Sequence, residues 1–177
     1  MNESDSCILV LGYGNAARGD DGLGPRFTDT IEDLQIAGVT AEIKSQLTVE
    51  DAGRIALHDA VIFVDATFDG PEPFRFERLR PDNSLGLRTH RIEPAAVLAL
   101  ARGIFGAQTE GYVLDIRGYA FRHFGEGLSA KARKNLEAAL EFIVPVLRRT
   151  ALRKELALNA GRFILPHEVE SCLKRGP

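Results

Sequence analysis

The chain has 177 residues, enough for one domain with a real core and too few for two ordinary ones. Hydrophobic residues make up 45% and charged residues 27%, and the formal net charge of −3 gives no electrostatic reason to expect nucleic acid or an anionic membrane as partner. No apolar run approaches the roughly 20 residues that span a bilayer, and "MNESDSCILV" lacks the basic start and small-residue cleavage site of a secretory signal, so a cytoplasmic protein is expected.

"CILVLG", Cys7 to Gly12, is a continuous apolar run suited to a strand covered on both faces. Cys7 reads as a small buried hydrophobe within it, and Cys172 lies at the far end of the chain, so no disulfide is expected. After a glycine turn, Pro25 suits the first position of a helix that Phe27, Ile31 and Leu34 continue and Gly38 closes. "VTAEIKS" alternates as a second strand, and Thr48 caps a short helix through Leu57 with Glu50 and Asp51 in its first turn. "AVIFVDA", Ala60 to Ala66, is another central strand, and "FRFERL", Phe74 to Leu79, an edge strand. Pro94 opens a helix, "YVLDIRG" is a further strand, and Ser129 caps the longest helix, with Pro145 near its end. Strands alternating with helices predict a single three-layer α/β sandwich around a mostly parallel sheet over residues 1–150, followed by a helical extension over 151–177.

The turn "GYGNAARGDDGLGPR" carries the first chemical signal. Gly12, Gly14 and Ala17 formally satisfy a dinucleotide fingerprint. However, Asp20 and Asp21 would sit where the pyrophosphate must lie, and each anion pair at about 4 Å costs roughly 1 to 4 kcal/mol. Carboxylates at the mouth of a sheet attract a cation instead. The plain alternative is that both acids only stabilise a helix start. Ligands of open α/β sheets bind beyond the carboxyl ends of the parallel strands, which puts Asp65 on the same rim and His90, in "RTHRIEP", near it. For these the plain alternatives are a turn residue and a surface histidine. His58, His123 and His167 have no comparable setting. Two carboxylates and one imidazole suit nickel or zinc with coordination positions left open. There is no G-x-S-x-G elbow and no H-E-x-x-H helix.

In order, "GYGNAARGDDGLGPR", "VIFVDATFDG" and "THRIEP" resemble the signature segments of the nickel–iron hydrogenase maturation endopeptidases. The similarity runs to about Thr150, and "RGYAFRHFGEGLSAKARKNLEAALEF" resembles the branch serving bidirectional, NAD-linked hydrogenases. The resemblance implies a twisted sheet flanked by helices. It also implies removal of a C-terminal extension from the hydrogenase large-subunit precursor once its nickel is in place, with nickel carried by that precursor and replaceable in vitro by cadmium or zinc. Carried over to this chain, the metal-contacting positions are Asp21, Asp65 and His90. Asp21 and Asp20 are the candidate catalytic carboxylates, Asp20 being the less strictly acidic neighbour. Gly14, Asn15, Gly22 and Gln46 are candidates for contact with the substrate chain; for Gln46 the alternative is a plain helix start with Glu50 and Asp51. A monomer is expected. The competing reading is a nickel-sensing checkpoint chaperone without peptidase activity.

Overall fold

A computed structural model describes residues 7–81, 92–121 and 127–149. Five strands form one sheet: β1 (Ile8–Tyr13), β2 (Val39–Lys44), β3 (Ala60–Thr67), β4 (Phe74–Leu79) and β5 (Glu110–Arg117), in the order β2-β1-β3-β5-β4. All neighbouring pairs are parallel except β4 with β5, so the predicted edge strand is the one antiparallel element. Among the described residues four α-helices flank the sheet: α1 (Leu23–Asp33), α2 (Asp51–Ile55), α3 (Pro94–Phe105) and α4 (Ala130–Leu147). The expected three-layer sandwich is the observed one.

Each central strand is apolar on both sides because each side has its own helix layer. Ile8, Val10, Ile62, Val64, Tyr112, Leu114 and Ile116 pack with Phe27 and Ile31 of α1 and Ala139 and Ile143 of α4. Leu9, Leu11, Val61 and Phe63 pack on the opposite side with Ile55 of α2 and Val97, Leu98 and Ala101 of α3. The chain leaves β1 through α1 toward β2 on one side, then returns through α2 to β3 on the other. The sheet order therefore reverses between β1 and β3, and the crevice beyond their carboxyl ends is the natural ligand site of such a fold.

Several local expectations need correction. Cys7 is exposed, lying one residue before the ladder begins at Ile8. α1 starts at Leu23, so Pro25 occupies its third position, where a missing N–H still costs nothing. The helix ends at Asp33, and Gln35 (φ 46°) takes the left-handed turn before Gly38. α2 is a single short turn without a side-chain cap; Thr48 instead donates its amide and hydroxyl to Asp51 at 2.8 and 3.3 Å. The buried Asp51 also pairs with Lys44 at 3.0 Å, tying the loop after β2 to that strand. Ser129 does cap α4, accepting from the Ala132 amide at 3.2 Å. His90, His123, His167, Cys172 and the extension 151–177 lie outside the described residues.

Candidate active site

β1 ends at Tyr13, and the chain then doubles back through a turn that closes in a short 3-10 helix, Gly19–Gly22. The fold-back is tight. Gly14 has φ +138°, and a Cβ there would lie 2.2 Å from the Asp21 carbonyl oxygen. At Gly24 a Cβ would lie 2.5 Å from the carbonyl oxygens of both Tyr13 and Val64, so α1 begins pressed against the ends of β1 and β3. Glycine at these two positions is what lets the acidic turn sit directly over the crevice.

A cavity of about 300 Å³ occupies that crevice, lined by Tyr13, Gly14 and Asp21 from the β1 turn, Asp65 from β3, and Gln46 and Glu93 among its other walls. The structure thus brings Asp21, Asp65, Gly14 and Gln46 together. Of the other predicted residues that are described, Asn15, Gly22 and Asp20 do not line the cavity. Asn15 is exposed; its side chain accepts from the Ala17 amide at 3.0 Å, while its own amide donates to the Asp21 carboxylate at 3.0 Å. Gly22 is buried against the Ala16 backbone.

Asp20 departs furthest from expectation as a catalytic carboxylate. It has no exposure and points away from the cavity lining, into the structure around the start of α4. Its carboxylate accepts from the amides of Tyr119 (2.7 Å), Ala120 (2.8 Å) and Ser129 (2.7 Å) and from the Ser129 hydroxyl (2.8 Å). Burial by itself would raise its pKa, but these four bonds outweigh burial and hold the carboxyl below its ordinary value.

Asp65 is in the opposite situation. Burial, together with the charges of Asp115 and Asp21, pushes its pKa from 3.8 to about 7, although the Ala66 amide (2.7 Å) and the Tyr13 hydroxyl favour the ionised form. Asp115 stands beside Asp65 in the β3–β5 register. It too is raised, first by burial, while its ion pair with Arg75 across the β4–β5 ladder opposes the rise. The Tyr13 hydroxyl is raised well above its ordinary value by burial and by Asp65 and Asp115, so it stays a neutral donor. Three acids, one tyrosine and one opposing arginine form a site with excess negative charge.

That donor set fits a divalent cation. Carboxylate oxygens are suitable ligands, and a cation would offset the burial and the neighbouring charges that raise the Asp65 pKa to about 7. Among the described residues no group of three His, Cys, Asp or Glu side chains is placed to hold a metal ion alone. Asp21 and Asp65 supply two donors, and His90, the expected third, lies outside the described residues.

Sequence reasoning missed Tyr13, Asp115 and Glu93. A signal for Asp115 was present: "VIFVDAT" and "GYVLDIR" each carry a single aspartate at the fifth position of an otherwise mostly apolar strand. Strands aligned in parallel bring such residues side by side.

No family model and no curated protein sequence matches the chain. Solved structures do. The NiFe hydrogenase maturation protease HycI from Thermococcus kodakarensis superposes with a TM-score of 0.65 at 24% identity, covering 82% of this chain and 95% of that one. The hydrogenase maturating endopeptidase HybD from E. coli gives 0.61 at 26%, covering 82% and 94%. An endopeptidase from Escherichia coli gives 0.59 at 27%, also covering 82% and 94%.

Proposed function

We propose that this chain, which has the fold of the hydrogenase maturation proteases and is grouped with them by its solved neighbours, is an endopeptidase that removes the C-terminal extension of a nickel–iron hydrogenase large-subunit precursor after nickel insertion. The observation that carries this reading is the meeting of Asp21 and Asp65, 44 positions apart in the chain, on the wall of one cavity at the reversal point of the sheet. The nickel belongs to the substrate. It enters with the precursor and is gripped by Asp21 and Asp65, with His90 as the third contact that the resemblance implies.

In this reading the grip does most of the chemical work. Holding the nickel-loaded end of the precursor fixes the neighbouring peptide bond over the cavity, and such positioning can supply roughly 7 to 11 kcal/mol of a barrier. Water then attacks the carbonyl carbon of that bond, with Asp21 as the carboxylate that takes the water's proton. The C–N bond breaks as Asp21 passes that proton to the departing amine nitrogen, leaving a new carboxylate on the mature subunit and a free N-terminus on the released tail. Tyr13 stays protonated and keeps Asp65 oriented. Gln46 and Leu47, on the loop held by Asp51, line the approach for the extended tail. The protein acts as a cytoplasmic monomer on one protein substrate.

Mass spectrometry of the cognate large subunit tests the proposal. Nickel-loaded precursor incubated with the wild-type protein should lose its C-terminal extension, and Asp21→Asn should leave it intact. If the wild-type protein leaves the precursor full length but still binds it only when nickel is present, the protein is a checkpoint chaperone and the peptidase reading fails.

A further inference from the structure

We propose that Asp20 is the positioning residue of this site: its carboxylate straps the turn that presents Asp21 to the segment before α4 and to the cap of α4 itself. This rests on the reading of Asp21 as a substrate-facing residue. The strap is built from parts remote in sequence. The Asp20 carboxylate receives the amides of Tyr119, Ala120 and Ser129 and the Ser129 hydroxyl, all between 2.7 and 2.8 Å and 99 to 109 positions away. Its own amide donates to the Ala120 carbonyl at 2.7 Å. The Ser129 hydroxyl oxygen accepts the Ala132 amide, so one side chain joins the turn to the first turn of an 18-residue helix.

Two further observations agree with a strap and not with a base. The carboxylate is fully buried away from the cavity and receives four protein donors, three on Oδ2 and one on Oδ1, so it meets no substrate water whose proton it could take. The fit is also close: a Cβ at Gly118 would lie 2.9 Å from the Asp20 Cβ, so the 118–120 backbone approaches as nearly as glycine permits. On the other flank of the same turn, the Asp21 carboxylate takes the Asn15 amide and lines the cavity. One acid is fixed to the scaffold, and its neighbour is thereby presented to the substrate.

The test uses the full chain and two readouts. Asp20→Asn keeps the shape but turns an NH2 group toward donors. At a temperature well below melting, it should lower kcat/KM for processing of nickel-loaded precursor by about 100-fold, as expected for a misplaced reacting group. The Asn15 amide, read by hydrogen exchange, should lose its protection in the same variant. Ser129→Ala, which removes the hydroxyl's bond to Asp20 and the cap bond from the Ala132 amide while leaving the Ser129 amide in place, should cost about fivefold, and Ser129→Thr should restore the rate. Ile143→Ala, in the core under α4 and remote from the cavity, lowers the melting temperature and should leave processing per folded molecule and Asn15 exchange unchanged. If Asp20→Asn does not fold, the Ser129 pair decides. Wild-type processing by Asp20→Asn, or unchanged Asn15 exchange, overturns the strap, as does a loss with Ser129→Ala that threonine fails to rescue. A wild-type protein that never cuts the precursor sinks the peptidase reading instead, and Asn15 exchange still decides the strap.

Discussion

Replacing Asp65 by asparagine should make the folded protein more stable at neutral and alkaline pH while destroying its grip on metal. The carboxyl titrates at 3.8 when unperturbed and at about 7 in the fold, where burial and the nearby Asp115 and Asp21 disfavour its charge. The folded state therefore binds this proton more tightly than the unfolded chain does. Its contribution to stability is complete below pH 4 and is lost as the pH rises through 7. From pH 5 to 7 the loss is about 2 kcal/mol at 1.36 kcal/mol per decade, because half the groups still hold the proton at pH 7, and it approaches about 3 kcal/mol by pH 8. Asp65→Asn carries no such group, and the titrations of groups remote from it are common to both proteins. In urea unfolding at pH 5, 6, 7 and 8, the advantage of the variant should grow by about 3 kcal/mol and level off above pH 7. Cadmium at pH 8 and 100 times its Kd should return about 2.7 kcal/mol to the wild type and nothing to the variant. A difference between the two proteins that stays flat across this range would mean that burial and the neighbouring charges do not raise the Asp65 pKa, and the charge argument for a cation site would fall.

Three other changes follow from the same geometry. Gly14→Ala should cost about 1 to 3 kcal/mol in urea unfolding and abolish precursor processing, because its Cβ would meet the Asp21 carbonyl oxygen at 2.2 Å in a backbone already at φ +138°. Tyr13→Phe removes the hydroxyl that favours ionised Asp65, so the acid limb of the processing-rate profile should move to higher pH by about one unit, read by assays between pH 5.5 and 8.5. Asp51→Asn should destabilise by about 1 to 3 kcal/mol, less than breaking a fully buried pair costs, since Lys44 is 35% exposed. It should also raise KM more than it lowers kcat, by loosening the loop that carries Gln46 and Leu47.

The strands and their order of appearance were legible because buried parallel strands are apolar on both faces, and "CILVLG" and "AVIFVDA" contrast sharply with the polar turns around them. Boundaries were less legible. Cys7 belongs to the first apolar run by composition, yet the ladder begins one residue later and leaves it exposed. Thr48 has the chemistry of a helix cap, but its hydroxyl bonds the Asp51 carboxylate instead of accepting from a helix amide, and the helix covers only Asp51–Ile55. Gln35 takes a left-handed turn ahead of the one at Gly38 (φ 75°), since hydrogen bonds from its amide and side chain to the Glu32 carbonyl support a conformation that few non-glycine residues adopt. In the site, proximity along the chain was a poor guide to proximity in space.

The two acids of the turn show why. A 3-10 helix advances three residues per turn, so consecutive side chains leave it about 120° apart, and Asp20 and Asp21 cannot both face one cavity. Reading "DD" as a carboxylate pair ignores that rotation. The true neighbours of the site are residues that a parallel register places side by side on one face, Asp65 and Asp115, and the residue at the end of the adjoining strand, Tyr13. Strand pairing thus concentrates negative charge at the cavity, while helical rotation removes one of the adjacent acids from it. The removed acid then becomes available for a different task. Its charge, satisfied by four donors from a distant segment, holds the turn in place, so a doubled aspartate in a glycine turn divides into one strut and one presented ligand.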